Sequence, residues 1–127
     1  MRGTYVDSSF LVAIAFDEPS STEMAESLAA FDELFSANLL EAELRAALVR
    51  EEVAIAPVML DSISWIIPDR PLSREIGQVL AAGYLRGADL WHVACALFLA
   101  PTPGELTFLT LDQRQRDVAE ALGFQLE

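Results

Sequence analysis

Polar and apolar positions along this chain follow two periods in turn, and each change of period marks a change of element. Thr4-Tyr5-Val6 is a short β-favouring run that stops at Asp7, and Ser8-Ser9 stands where it would cap an apolar helix from Phe10 to about Phe16. Pro19 and Ser20 open a second helix. There Ser20-x-x-Glu23 has the spacing of a capping box, and Met24, Leu28 and Phe31 recur at helical intervals. Leu34 to Ala37 reads as a short buried strand. A third helix from Leu39 to Glu52 and a further helical stretch from Pro57 to Ser62 precede Ser64-Trp65-Ile66-Ile67, a strand stopped by Pro68. Leu72 to Leu85 is predicted helical with Gly87 as its breaker, and Asp89 to Leu99 is apolar on every side, as a helix inside a domain is. Leu106 to Leu111 reads as a strand and Asp112 to Leu122 as the last helix. Gly123 then turns the chain into a short strand from Phe124 to Leu126. Strands separated by helices pair in parallel and need cover on both faces, so the fold class is α/β.

Length and composition narrow this picture. The 127 residues carry no repeat, low-complexity tract or linker, so residues 1–127 are expected to form one domain. A hydrophobic content of 53% excludes a disordered tail and leaves apolar surface for a partner, which makes oligomerisation an expectation. Leu90 to Ala100 includes His92 and is too short to span a bilayer, and the run from Phe10 to Phe16 is too short for a signal peptide. A cytoplasmic protein without a membrane segment is expected. The single Cys95 offers neither an internal disulfide nor a cysteine-based zinc site. A formal charge of -12 rules out a broad basic surface for nucleic acid, so any such binding is local. There is no lysine: all eight bases are arginine, the better bidentate donor to phosphate.

Ligands of open α/β sheets bind outside the carboxyl ends of the strands, which draws attention to Asp7 and Asp112. Each also stands where it could cap the following helix. Glu43 lies opposite the polar stripe of Glu41, Arg45 and Glu52, among Leu39, Leu40, Ala46 and Ala47, and so requires an electropositive neighbour. Arg50, two turns along the same face, is one candidate for that neighbour and a bound cation another, while Glu41 pairs with Arg45 on the solvated face. Asp89 opens the apolar helix either as an N-cap or as a ligand aimed into a cleft. His92, three residues on, is read as a hydrogen-bonded core histidine, with a substrate contact or a proton shuttle near the metal as the alternative. Arg86, Arg114 and Arg116 are either solvated charges or phosphate contacts, and Trp65 and Trp91 are assigned to packing. Four clustered carboxylates repel one another, a conflict that a hard divalent cation, Mg²⁺ or Mn²⁺, removes.

Tyr5-Val6-Asp7-Ser8-Ser9, Glu43-Leu44-Arg45-Ala46-Ala47-Leu48, Arg86-Gly87-Ala88-Asp89-Leu90-Trp91-His92-Val93-Ala94 and Thr110-Leu111-Asp112 follow one another in an order and spacing that resemble a PIN domain. More narrowly, the chain resembles the VapC-type toxins of toxin-antitoxin pairs over nearly its whole length. The resemblance implies a three-layer α/β/α fold with a mostly parallel sheet of four or five strands. It also implies Mg²⁺- or Mn²⁺-dependent cleavage of RNA, a homodimer, and a small cognate antitoxin as inhibitor. By position, Asp7, Glu43 and Asp89 match the family's core acids and Asp112 its more variable fourth acid, all four being expected at the metal and in catalysis. A phosphoacceptor receiver domain would need a lysine, and a phosphatase with an aspartyl nucleophile would want a second acid two residues after Asp7, where Ser9 stands. The remaining rival is a PIN-like module that binds protein without catalysis.

Overall fold

A computed structural model describes residues 2–53 and 60–127 of the chain. Its four strands, β1 (Gly3–Val6), β2 (Glu33–Ala37), β3 (Ile63–Ile66) and β4 (Thr107–Leu109), form one sheet in the order β3-β2-β1-β4, with every pairing parallel. The helices are α1 (Ser8–Ala15), α2 (Ser21–Ala29), α3 (Leu39–Arg50), α4 (Ser73–Ala82), α5 (Gly87–Leu99) and α6 (Gln113–Leu122). Of the helical stretch expected from Pro57 to Ser62, residues 57–59 lie outside the described residues, and Leu60 and Asp61 are helical.

The period of two along the strands sorts their side chains into two cores. Tyr5, Ala37, Ile66 and Phe108 point to one face of the sheet, where Val79, Val93, Leu97, Val118 and Ala119 of α4, α5 and α6 cover them. Val6, Ile63 and Leu109 point to the other, against Phe10 and Leu11 of α1 and Leu40, Leu44 and Leu48 of α3. The result is the expected three-layer α/β/α sandwich. Leu40, Leu44 and Leu48 recur every four residues, so one stripe of α3 is buried almost completely, each side chain contributing about 2 kcal/mol. Tyr5 stacks on Phe108 at 5.2 Å, tying β1 to β4 through their rings as well as through the backbone ladder. Cys95 is free and fully buried, and burial pushes its thiol up to about 12.

Several local expectations are corrected. The N-cap of α1 is Asp7, as its position also allowed, and its carboxylate accepts from Ser9 N; the capping role expected of Ser8-Ser9 falls one residue earlier. Ser20 makes no side-chain cap and has φ 71, so the capping box does not form, and Ser21 Oγ instead donates to Asp17 Oδ1 at 2.9 Å. The helix predicted to Leu85 ends at Ala82. Gly87 is the first residue of α5, and its φ of +55 is one that glycine adopts without strain. The expected fifth strand reduces to one bridge, Thr107 with Gln125, after Gly123 closes α6 in the left-handed conformation at φ 104. Among the described residues no helix is long and apolar enough to cross a membrane.

Candidate active site

The strand order places β1 at the centre, with the connections running to β2 and β3 on one side and to β4 on the other. Adjacent strands whose connections diverge leave a crevice at their carboxyl ends, here between β1 and β4. Asp7 follows β1 directly, and its backbone N–H prolongs the ladder to Leu109 O at 3.0 Å. Its side chain is only 4% exposed. Oδ2 accepts from Ser9 N at 3.3 Å and Ser9 Oγ at 2.7 Å and lies 3.0 Å from Thr110 Oγ1. Oδ1 has no donor among the described residues, and the basic atom beside it is His92 Nε2 at 3.8 Å. Since no fully buried side-chain polar atom among the described residues lacks a partner, Oδ1 must reach solvent.

Glu43 projects from α3, whose start follows the carboxyl end of β2, and its side chain is 29% exposed. Its partner is not Arg50, which pairs with Glu51 at 3.1 Å, but His92, whose Nε2 is 2.6 Å from Glu43 Oε1. Arg50 stands two turns up a helix that turns it outward, whereas the histidine reaches Glu43 from α5 across the fold. The ring of His92 is fully buried, and its Nδ1 is 2.6 Å from the Tyr5 hydroxyl, which in turn accepts from Ala37 N at 3.1 Å. With the phenolic oxygen already accepting a backbone N–H, its proton goes to Nδ1, and Nε2–H then donates to Glu43. That tautomer is assigned from the network. Burial raises the Tyr5 phenol well above its ordinary range, with the charge at Cys95 a lesser cause, which keeps the phenol a donor. The core-histidine reading of His92 therefore holds, and one end of that histidine lies on a candidate acid.

Asp89 is the third residue of α5 and not its N-cap, a position held by Arg86. Its carboxylate accepts no hydrogen bond among the described residues. Its pKa is raised, first by partial burial, then by the charge of Asp7, then by that of Asp112, with Glu43 adding to the effect and His92 opposing it. All four predicted acids are thus brought into one electrostatic neighbourhood. Asp112 is the exposed member: it caps α6 by accepting from Gln115 N at 2.8 Å, so its capping and cleft positions coincide. Asp89 and Asp112 share a cleft of about 340 Å³ with Tyr84, Leu85, Arg86 and Arg114. Arg116 does not reach it and donates to Glu127 O at 2.9 Å.

The parts that sequence reasoning missed are the neutral ones. Thr110 Oγ1 lies 2.7 Å from Gln115 Oε1 and 3.0 Å from Asp7 Oδ2, while Gln115 Nε2 donates to Asp89 O at 3.2 Å. This chain of short bonds joins the end of β1, the end of β4 and the first turns of α5 and α6. Thr110 was visible in the run Thr110-Leu111-Asp112; a buried glutamine one turn into a charged helix gives no such signal.

Residues 4–121 match the family model of the PIN domain. The chain belongs to the PIN domain family. No curated protein and no solved structure matches it at a significant level. PIN domains are generally nucleases and typically bind divalent metal ions. In this PIN domain no group of three or more His, Cys, Asp and Glu side chains among the described residues forms a ready metal site. The donor chemistry nevertheless fits a hard cation: among the described residues nothing donates to Asp7 Oδ1, to the second oxygen of Glu43 or to either oxygen of Asp89, and all are carboxylate oxygens.

Proposed function

We propose that this PIN domain is a Mg²⁺- or Mn²⁺-dependent endoribonuclease, the toxin of a toxin-antitoxin pair, which hydrolyses RNA phosphodiester bonds at Asp7, Glu43, Asp89 and Asp112. The observation that carries the reading is the unneutralised charge at Asp89. Three further carboxylates act on it, and no arginine is bonded to it. Such a cluster persists at a cost in stability, the signature of a site kept for what it binds. Asp7, Glu43 and Asp89 would hold the ion, with Asp112 at the open edge. A bound dication offsets charge on the phosphate and acidifies water for attack.

The chain's own residues prepare that arrangement. Ser9 and Thr110 fix Asp7 through Oδ2 and leave Oδ1 available. His92 holds Glu43 through Oε1, and Tyr5 holds His92. Gln115 fixes the backbone of Asp89. Donors placed behind the carboxylates orient them before any ligand arrives, so less ordering remains to be done on binding.

Support for the protein partners, a homodimer and a small antitoxin, is the exposed apolar surface. Val49 and Ile67 are 78% and 75% exposed, and an apolar groove of about 480 Å³ runs between Ile14, Leu28, Phe31 and Leu34. The same groove favours the alternative of a PIN-like module that binds protein without catalysis.

Metal-supported cleavage separates the two. Wild-type protein is expected to cut RNA only with Mg²⁺ or Mn²⁺, and Asp7→Asn is expected to abolish cutting while far-UV circular dichroism is retained. A second readout does not need turnover: Mn²⁺ at ten times its Kd should stabilise the wild type by RT ln(1 + 10), about 1.4 kcal/mol, and Asp7→Asn should lose that gain. Full cleavage by Asp7→Asn, or cleavage by wild type in excess chelator, rejects the assignment.

A further inference from the structure

A second cleft, of about 330 Å³, lies between the start of α4 and the end of α5 and shares no residue with the one that holds Asp89. Leu97, in the last turn of α5, is about 12 Å from Asp89 along the helix axis. The polar side of this cleft is built on Arg70. Of the five N–H donors of a guanidinium, three are already engaged: Nη1 donates to Pro71 O and to Glu75 Oε1, each at 3.0 Å, and Nη2 donates to Glu75 Oε2 at 2.6 Å. The two that remain, Nε–H and the second N–H of Nη2, lie along one edge of the plane and form another fork. Buried Glu75 holds the guanidinium from one side, and the Phe98 ring lies under it, 5.2 Å from centroid to carbon. A fork fixed in this way has little freedom left to lose on binding.

Arg74 and Gln78, one turn apart on the exposed side of α4, also line the cleft. Neither is hydrogen-bonded or ion-paired among the described residues, although a chain of net charge -12 offers acids to any arginine. Leu97, Phe98 and Pro101 make the rest of the lining apolar. Two guanidiniums thus face the single carboxylate of Glu75, leaving a surplus of one positive charge, while Asp69 acts on Arg70 from outside the lining.

We infer that this cleft binds a small monocarboxylate with an apolar body, the carboxylate on the free fork of Arg70 with Arg74 and Gln78, the body against Leu97, Phe98 and Pro101. A carboxylate matches a planar edge of two donors, one oxygen to each. Its single negative charge balances the surplus, whereas a phosphate dianion would exceed it beside buried Glu75. The apolar lining selects the rest of the molecule, since a bare anion gains nothing from it and a ring or branched chain buries area there. About 330 Å³ lies at the low end of small-ligand sites, roughly 300–1,000 Å³, so one ring fills it. Binding there needs none of the four candidate acids and is independent of the nuclease reading.

Phenylacetate is the probe, titrated into the ¹⁵N-labelled chain in excess chelator while backbone amide shifts are followed by NMR. Shifts should be confined to the segments around Arg70 to Gln78 and Leu97 to Pro101 and should saturate with a Kd of about 1 mM, the strength that about ten heavy atoms supply. Phenylacetamide, which lacks the charge, and acetate, which lacks the body, should each bind at least about tenfold more weakly. Arg74→Gln should weaken phenylacetate about fivefold, and so should Arg70→Lys, which keeps a cation on Glu75 and removes the fork. Gln78→Glu, at an exposed position, neutralises the surplus and should abolish binding while the spectrum without probe stays that of the folded wild type. If Arg70→Lys does not fold, the two surface variants decide. Phenylacetamide bound as tightly as phenylacetate, an unchanged Kd in Gln78→Glu, shifts centred on Arg86 and Arg114 instead, or no shift up to about 20 mM probe overturns the site.

Discussion

Glu75 and Asp89 occupy the same position, the third residue, in consecutive helices, and the two could hardly be treated more differently. Each enjoys the favourable N-terminal end of its helix. Each lines a cleft of about the same size, 330 and 340 Å³, that also contains two arginines. Glu75 is gripped by Arg70 through two parallel bonds of 3.0 and 2.6 Å, and that guanidinium lowers its pKa to about 2. Asp89 has two arginines in its cleft and bonds to neither, while its own burial and the carboxylates around it push its pKa up. Position on a helix therefore says little about what an acid is for. An acid with a committed cation holds the fold together, and one left among like charges is available to a ligand.

Exchanging the two acids for amides puts the largest effect on this comparison. Asp89→Asn should reduce RNA cleavage by about a thousandfold or more, roughly 4 kcal/mol of barrier, with the melting temperature unchanged or raised because repulsion is relieved. Glu75→Gln should leave kcat/KM within about twofold and lower the melting temperature, because Arg70 loses its bidentate partner. Parallel cleavage assays and thermal melts check both, and a Glu75→Gln protein as inactive as Asp89→Asn would dissolve the distinction. Tyr5→Phe comes next. It leaves His92 Nδ1 and Ala37 N–H without the hydroxyl, so urea titration should show a loss of about 2 kcal/mol, accompanied by a loss of cleavage as Glu43 loses its orientation.

The smallest effect is the pH dependence of stability in excess chelator, where the two acids pull in opposite senses. The folded-state pKa of Glu75 is depressed from 4.5 to about 2, so its contribution is present above 4.5 and is lost as pH falls from there toward 2. Asp89 has a raised folded-state pKa, so its cost is present above that pKa and is relieved as pH falls through it toward 3.8. Melting temperature against pH should therefore lose its low-pH decline partly in Glu75→Gln and lose a small gain on mild acidification in Asp89→Asn. Identical profiles for the two variants would contradict the contrast.

Much of this was legible in the residues. Asp7 and Asp112 declared themselves by following β-favouring runs, and Glu43 by standing opposite its helix's charged stripe. What failed was partner choice. Arg50 is close to Glu43 along α3, but His92 reaches it from a helix 49 residues away, and tertiary approach of that kind has no local trace. The cap of α1 stays open in sequence between Asp7 and Ser8-Ser9, because all three are good capping residues and only the backbone decides among them. The short strand after Gly123 failed for lack of length, its pairing surviving at Gln125 alone.

The buried thiol of Cys95 has a practical reach beyond stability. Fully enclosed and protonated far above neutral pH, it is closed to maleimides and to disulfide exchange in the folded protein. A cysteine installed on the surface would be the chain's one reactive sulfur, so a single dye or spin label can be attached without deleting a native residue first.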